Sequence, residues 1–159
     1  MGETPLRQRF RFLYRQGEGA IDARQWWRAS WPPAAIGLAM TLLWIAIMPR
    51  EARDLSREGL IDWGVAATYA YLMIYVFALF LCAIAEYFVC AKRFADRGRP
   101  QGLAGLAPFA LFLAGAANWY QPRSEGTMPG WLTWAFDAAA LGVLAWTIAE
   151  LGFGVGRRR

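Results

Sequence analysis

The sequence predicts an all-α fold: an integral membrane four-helix bundle preceded by an N-terminal amphipathic interfacial helix. Three observations carry that expectation. Of the 159 residues, 57% are hydrophobic and only 18% are charged, against about 25% charged in an average soluble domain. The apolar residues gather into four runs, to be set against the length of about 20 residues that a helix needs to cross hydrocarbon. The 17 Lys and Arg lie mostly between these runs. Assigned alternately to two sides, they divide thirteen against four.

The elements follow in order. Residues 1–30 are expected to form a cytoplasmic, interfacial segment. In "LRQRFRFLYRQ", Leu6, Phe10, Leu13 and Tyr14 recur at helical spacing, with Arg7, Arg9, Arg11 and Arg15 between them. That pattern suits a helix lying on anionic lipid; the plainer alternative is a solvated, topogenic tail. Asp22 followed by Gln25 resembles a capping box, so a short helix is expected to begin near Ala23. Trp26, Trp27 and Trp31 suit an interfacial belt. Pro32 and Pro33 are expected to kink or restart the helix there.

The four-helix domain is placed at residues 31–156, with spans at about 32–48, 63–91, 103–120 and 131–153. The first run is short and borrows depth from "RQWWRASWPP". The second is the longest, exceeds the hydrocarbon thickness, and is expected to tilt or project. The third sets Pro108 among small residues that suit close packing. The outer connection "PREARDLSREGLID" mixes both signs, and Leu55 and Leu60 suit a short turn on the bilayer surface. Residues 157–159 are a basic cytoplasmic tail. By the positive-inside rule, the charge split puts both termini and the Lys92–Arg99 loop in the cytoplasm. No cleavable signal peptide is expected, because the first 30 residues are Arg-rich and no small-residue cleavage site follows a short apolar run.

Composition narrows the chemistry. His is absent, which removes the Ser-His and Cys-His nucleophile pairs, the usual haem ligand and most zinc chemistry. Cys82 and Cys90 form no C-x-x-C pair, and about 12 Å of helix separates them, beyond the reach of a disulfide. No catalytic residue, metal site or cofactor is expected. The net charge of +5 sits beside apolar runs, as juxtamembrane anchors do. The expected partners are therefore anionic lipid headgroups and a membrane protein or second copy of the chain, not nucleic acid.

The densest charge lies in "CAKRFADRGRP". On a helix, Lys92, Asp96 and Arg99 fall within about 60° of one another, with Arg93 and Arg97 flanking. Gly98 and Pro100 then break the helix. Lys92, Arg93, Asp96 and Arg99, with Arg24 across the bundle, form a candidate lipid- or partner-binding cluster. Asp96 is its expected centre, accepting hydrogen bonds from Arg99, Lys92 or Arg24. The plainer alternative is a solvated helix end that acts as a topology signal. Three further ionisable groups lie inside apolar runs: Glu86, Asp137 and Glu150. Such groups are costly in hydrocarbon and usually face the bundle interior. Glu86 and Glu150 are expected to meet Arg24, Arg28 or Arg93. Asp137 needs a partner such as Asn118, Thr133 or Tyr69, or marks a proton or ion path. "GFGVG" lacks the strand–turn–helix setting of a phosphate loop.

Two of these stretches resemble a bacterial inner-membrane family, domain of unknown function 805. Its signature is a basic pair, then an aspartate, then an arginine at the cytoplasmic end of a membrane helix. Here these are Lys92 and Arg93, Asp96, and Arg99, with Ala95 where the family usually has His. "GAIDARQWW" is similar to its other motif: Gly19, Ile21, Arg24, Trp26 and Trp27 match, whereas Ala20 and Ala23 stand where basic residues are usual. The ending "GFGVGRRR" is reduced from the family's Gly-Pro-Asn-Tyr-Gly type. The resemblance spans most of Gly19 to Gly156 and implies an integral membrane protein with no known activity. The abundance of Trp and small residues suits helix–helix and lipid contact, so the expected function is non-catalytic: a scaffold, assembly factor or accessory subunit of a larger membrane complex. The alternatives are an oligomeric small-solute or ion transporter subunit, or a membrane enzyme acting on lipid phosphates. The last usually needs several carboxylates or a His nucleophile, and the cytoplasmic loop offers one carboxylate, Asp96.

Overall fold

A computed structural model describes residues 5–48 and 62–154 of the chain, and all regular structure among them is helical. The helices are α1 (Pro5–Arg15), α2 (Ala23–Ile47), α3 (Trp63–Asp96), α4 (Leu106–Tyr120) and α5 (Gly130–Ile148). Short 3₁₀ turns at Gln101–Gly105 and Gln121–Arg123 flank α4, and a π-helical turn, Ala149–Phe153, ends α5. Four helical stretches are long and apolar enough to cross a membrane: Ala23–Ile47, Trp63–Asp96, Gln101–Arg123 and Gly130–Phe153. That is the make-up of a multi-pass membrane protein. The turn expected at Leu55 and Leu60, and the basic tail at 157–159, lie outside the described residues.

Local chemistry fixes most helix ends. The Asp22 carboxylate accepts the Gln25 backbone N–H at 2.7 Å, so α2 opens on the cap read from the sequence. Asp62 does the same for α3, accepting from Gly64 and Val65 at 2.7 and 3.2 Å. At the other end of α3, Gly98 adopts φ +68°. The Gly98 N–H donates to Ala95 and the Arg99 N–H to Phe94, at 3.0 and 2.9 Å. This paired closure is the Schellman motif, in which glycine takes the left-handed position without a Cβ penalty.

The prolines do not restart the helix. α2 runs unbroken through Pro32 and Pro33, which corrects the predicted restart. A proline lacks the N–H that would reach the carbonyl four residues back; for Pro33 that carbonyl belongs to Ala29. The Tyr14 hydroxyl donates to the Ala29 carbonyl at 2.8 Å. A side chain of α1 therefore supplies a hydrogen bond that the proline removes, and the helix continues.

The chain divides into two compact units, residues 31–84 and residues 1–30 with 85–159. In the first, polar contacts join α2 to α3. Tyr71 donates to the Met40 carbonyl at 2.8 Å, Thr41 and Tyr75 hydroxyls lie 3.2 Å apart, and the Trp44 and Tyr75 rings stack at 5.9 Å. Met73, Ile74, Phe77 and Phe80 of α3 are exposed. The second unit packs α4 on α5 and holds the buried core: Ile21, Trp26 and Ala29 of the α2 entry, Val89 to Ala91 and Phe94 of α3, and Leu151 of the π turn. This core gathers helix ends, not helix middles.

Candidate functional site

Helix ends leave carbonyls without intrahelical partners, and cations favour the negative C-terminal pole. The Lys92–Arg99 stretch meets two such ends at once. The Lys92 ammonium donates to the carbonyls of Leu13, at 3.1 Å, and Gln16, at the end of α1. It also lies 5.2 Å from the Phe12 ring centroid, a cation–π distance. Arg93 is the next residue, about 100° further round the helix. Its Nε donates to the Leu151 carbonyl at 2.9 Å, its Nη2 to the Gly154 carbonyl at 2.6 Å, and its Nη1 to the Asp96 carboxylate. Arg97, one turn on, donates to the Glu150 carbonyl and sets Nη2 3.2 Å from Glu150 Oε1. Arg99 Nε lies 3.5 Å from the same oxygen. The stretch is a clamp: Lys92 closes α1, while Arg93 and Arg97 close the turn that ends α5.

This geometry corrects several expectations. Lys92 and Arg93 are 0% and 2% exposed, so they are neither a solvated helix end nor an open headgroup site. Asp96 accepts from Arg93, not from Lys92, Arg99 or Arg24. The reason is the clamp itself, because Lys92 and Arg99 are drawn to the α1 carbonyls and to Glu150. Arg24 is exposed and joins none of these pairs among the described residues. Glu150 meets Arg97 and Arg99 instead of Arg24, Arg28 or Arg93. Glu86 pairs with none of those arginines and receives a weak contact from the Cys90 thiol at 3.9 Å. No disulfide joins Cys82 and Cys90. Asp137 has the partner expected of it: Asn118 Nδ2 donates to its carboxylate at 2.8 Å.

In the sequence Arg97 stands out only as a flanking charge and Glu150 only as a partner for other arginines, while the Leu151 and Gly154 carbonyls that receive Arg93 are not foreseen. The signal of this receiving end is the "GFGVG" ending. A Cβ at Gly154 would overlap the Arg97 guanidinium and the Glu150 carbonyl. A Cβ at Gly152 would lie 2.8 Å from the Trp27 ring. The second motif feeds the same place. Ile21 and Trp26 are buried in the core, and Trp27 packs edge-on against Phe153 at 6.1 Å. Three stretches far apart in sequence, Gly19–Trp27, Lys92–Arg99 and Glu150–Gly154, thus build one assembly of helix ends. Among the described residues, no group of three or more His, Cys, Asp or Glu could hold a metal ion.

Compared with protein-family models, curated proteins and solved structures, the chain finds no match.

Proposed function

We propose that the chain is a small, non-catalytic protein of the bacterial inner membrane, a scaffold, assembly factor or accessory subunit of a larger membrane complex. One observation carries the reading: the ionisable groups of the Lys92–Arg99 stretch are occupied in holding helix ends. Lys92, Arg93 and Arg97 bond backbone carbonyls, and Asp96 and Glu150 balance them. What the molecule offers outward is apolar helix surface. Only 6% of the most apolar window of α2, and 6% of that of α3, is buried within the chain. Such faces suit lipid and partner helices. The thirteen-to-four charge split supports placing both termini in the cytoplasm. The convergence of the two motifs and the glycine ending on one core supports kinship with the domain of unknown function 805 family.

The test is gentle solubilisation of native membranes followed by affinity isolation of the tagged chain. A partner recovered at fixed stoichiometry, and crosslinked through α2 or α3, supports the reading. Recovery of a lone chain or a homo-oligomer overturns it. A second reading, an oligomeric transporter subunit, rests on the Asn118–Asp137 pair within the membrane-crossing stretches. Proton or ion flux in vesicles that is lost in Asp137→Asn would establish that reading.

A further inference from the structure

An open cavity of about 430 Å³ lies between α1 and the first turns of α2. Arg9, Arg28 and Gln25 line it together with Phe12, Leu13 and Tyr14. Arg9 and Arg28 are exposed, and neither pairs with a carboxylate among the described residues. They differ in this from Lys92, Arg93 and Arg97, whose donors meet backbone carbonyls. The nearby Asp22 carboxylate is turned to the α2 N-terminus, where it caps Gln25. The cavity therefore combines two available guanidinium forks, one amide and an apolar and aromatic wall.

Its level is set by the chain. α2 is a membrane-crossing helix that begins at Ala23, so Gln25 and Arg28 fall in its first two turns. Trp27, 42% exposed, lies between them, and Leu6 and Phe10 of α1 are exposed at 79% and 55%. Exposed aromatic and apolar side chains among arginines are the composition of a headgroup boundary.

We propose that this cavity is a binding site for an anionic phospholipid, with Arg9 and Arg28 on its phosphate. Guanidinium forks match phosphate oxygens two at a time, and Gln25 supplies a further donor. Phe12 and Leu13 face the glycerol and the first acyl carbons. A free phosphate ion would gain nothing from that apolar half. The proposal stands on the membrane-crossing character of α2 and is independent of any partner complex.

The test uses the full-length protein in phosphatidylcholine nanodiscs doped with phosphatidylglycerol, followed by native mass spectrometry of the ejected protein. One phosphatidylglycerol is expected to stay bound per chain. The double variant Arg9→Gln/Arg28→Gln should lose roughly tenfold retention or more, since hydrogen bonds to charged groups are each worth about that factor. Arg7→Gln/Arg15→Gln removes the same charge away from the cavity and should retain the lipid. Equal loss in both double variants would reduce the effect to general surface charge and overturn the site. So would absence of any retained lipid, or displacement by glycerol 3-phosphate at the concentration that displaces the lipid. If Arg9→Gln/Arg28→Gln does not accumulate, each single variant carries the same comparison against Arg7→Gln. None of these readouts depends on recovery of a protein partner.

Discussion

Lys92 and Arg93 are adjacent in sequence and serve different helices. Lys92→Met keeps the aliphatic stem and removes the ammonium, leaving the Leu13 and Gln16 carbonyls without their donor. A hydrogen bond from a charged group contributes about 1.5–3 kcal/mol, so the loss should be about 2–3 kcal/mol. It should appear as a lower Tm in detergent and as faster proteolysis after residues 5–15. Unchanged proteolysis there would contradict the clamp. Asp96→Asn is a different case. It leaves Arg93 its two carbonyls but takes away the balancing charge of a buried cation. Breaking a buried pair costs up to about 3–5 kcal/mol; the retained carbonyls and the partial exposure of Asp96, 22%, put the expected cost near 1–3 kcal/mol. The variant should still insert into membranes and melt earlier than the parent. An unchanged melting curve would mean that Asp96 is not part of the buried network. The sequence showed that this aspartate had four basic neighbours. It did not show which one it serves, because the partners that sort the cations are backbone carbonyls, and carbonyls have no letter of their own.

At the scale of the element, the docking of α1 decides how α2 behaves. Tyr14 completes the carbonyl left open by Pro33, so Tyr14→Phe should cost about 1 kcal/mol and loosen both helices together. Burial, and then the neighbouring Glu86 carboxylate, raise the Tyr14 pKa above the usual 10.0. The contribution of its hydroxyl is therefore fully present below about pH 10 and is lost only as the pH rises beyond that. A Tyr14→Phe protein whose Tm equals the parent's at pH 7 would rule out the hydroxyl's part. In the turn after α5, Gly154→Ala places a methyl group against the Glu150 carbonyl. The Arg97 side chain can swing aside, whereas the carbonyl cannot, so the substitution should lower the Tm and release Arg97. The caps at Asp22 and the break at Gly98 were legible, because each is a local rule written within four residues. The unbroken passage through Pro32 and Pro33 was not, because its cause, Tyr14, lies in another helix, 15 residues before the Ala29 carbonyl it reaches.

For the whole molecule, the four membrane-crossing stretches were legible from apolar run length alone, and the structure carries all four. Their sidedness rests on charge counting. Reporters fused after Arg57, Arg99, Arg123 and Arg159 should read outside, inside, outside and inside; a C-terminal reporter active in the periplasm would overturn that arrangement. The charged cluster was legible as a place but not as a device, since its backbone contacts to α1 and to the turn after α5 span 53 to 79 residues of sequence. That separation has a consequence for biosynthesis. Chains leave the ribosome N-terminus first. Lys92 can therefore engage α1 as soon as α3 is made, but Arg93 and Arg97 must wait for Glu150 to Gly154, the last described residues. Until then Arg93 has only Asp96 and Arg97 lacks Glu150, so the two halves of the clamp are joined in time as well as in space. A nascent chain stalled before residue 150 should be integrated yet unlocked, open to a chaperone or an assembly partner. Only when Glu150 to Gly154 emerge can Arg93 and Arg97 lock the helix ends together.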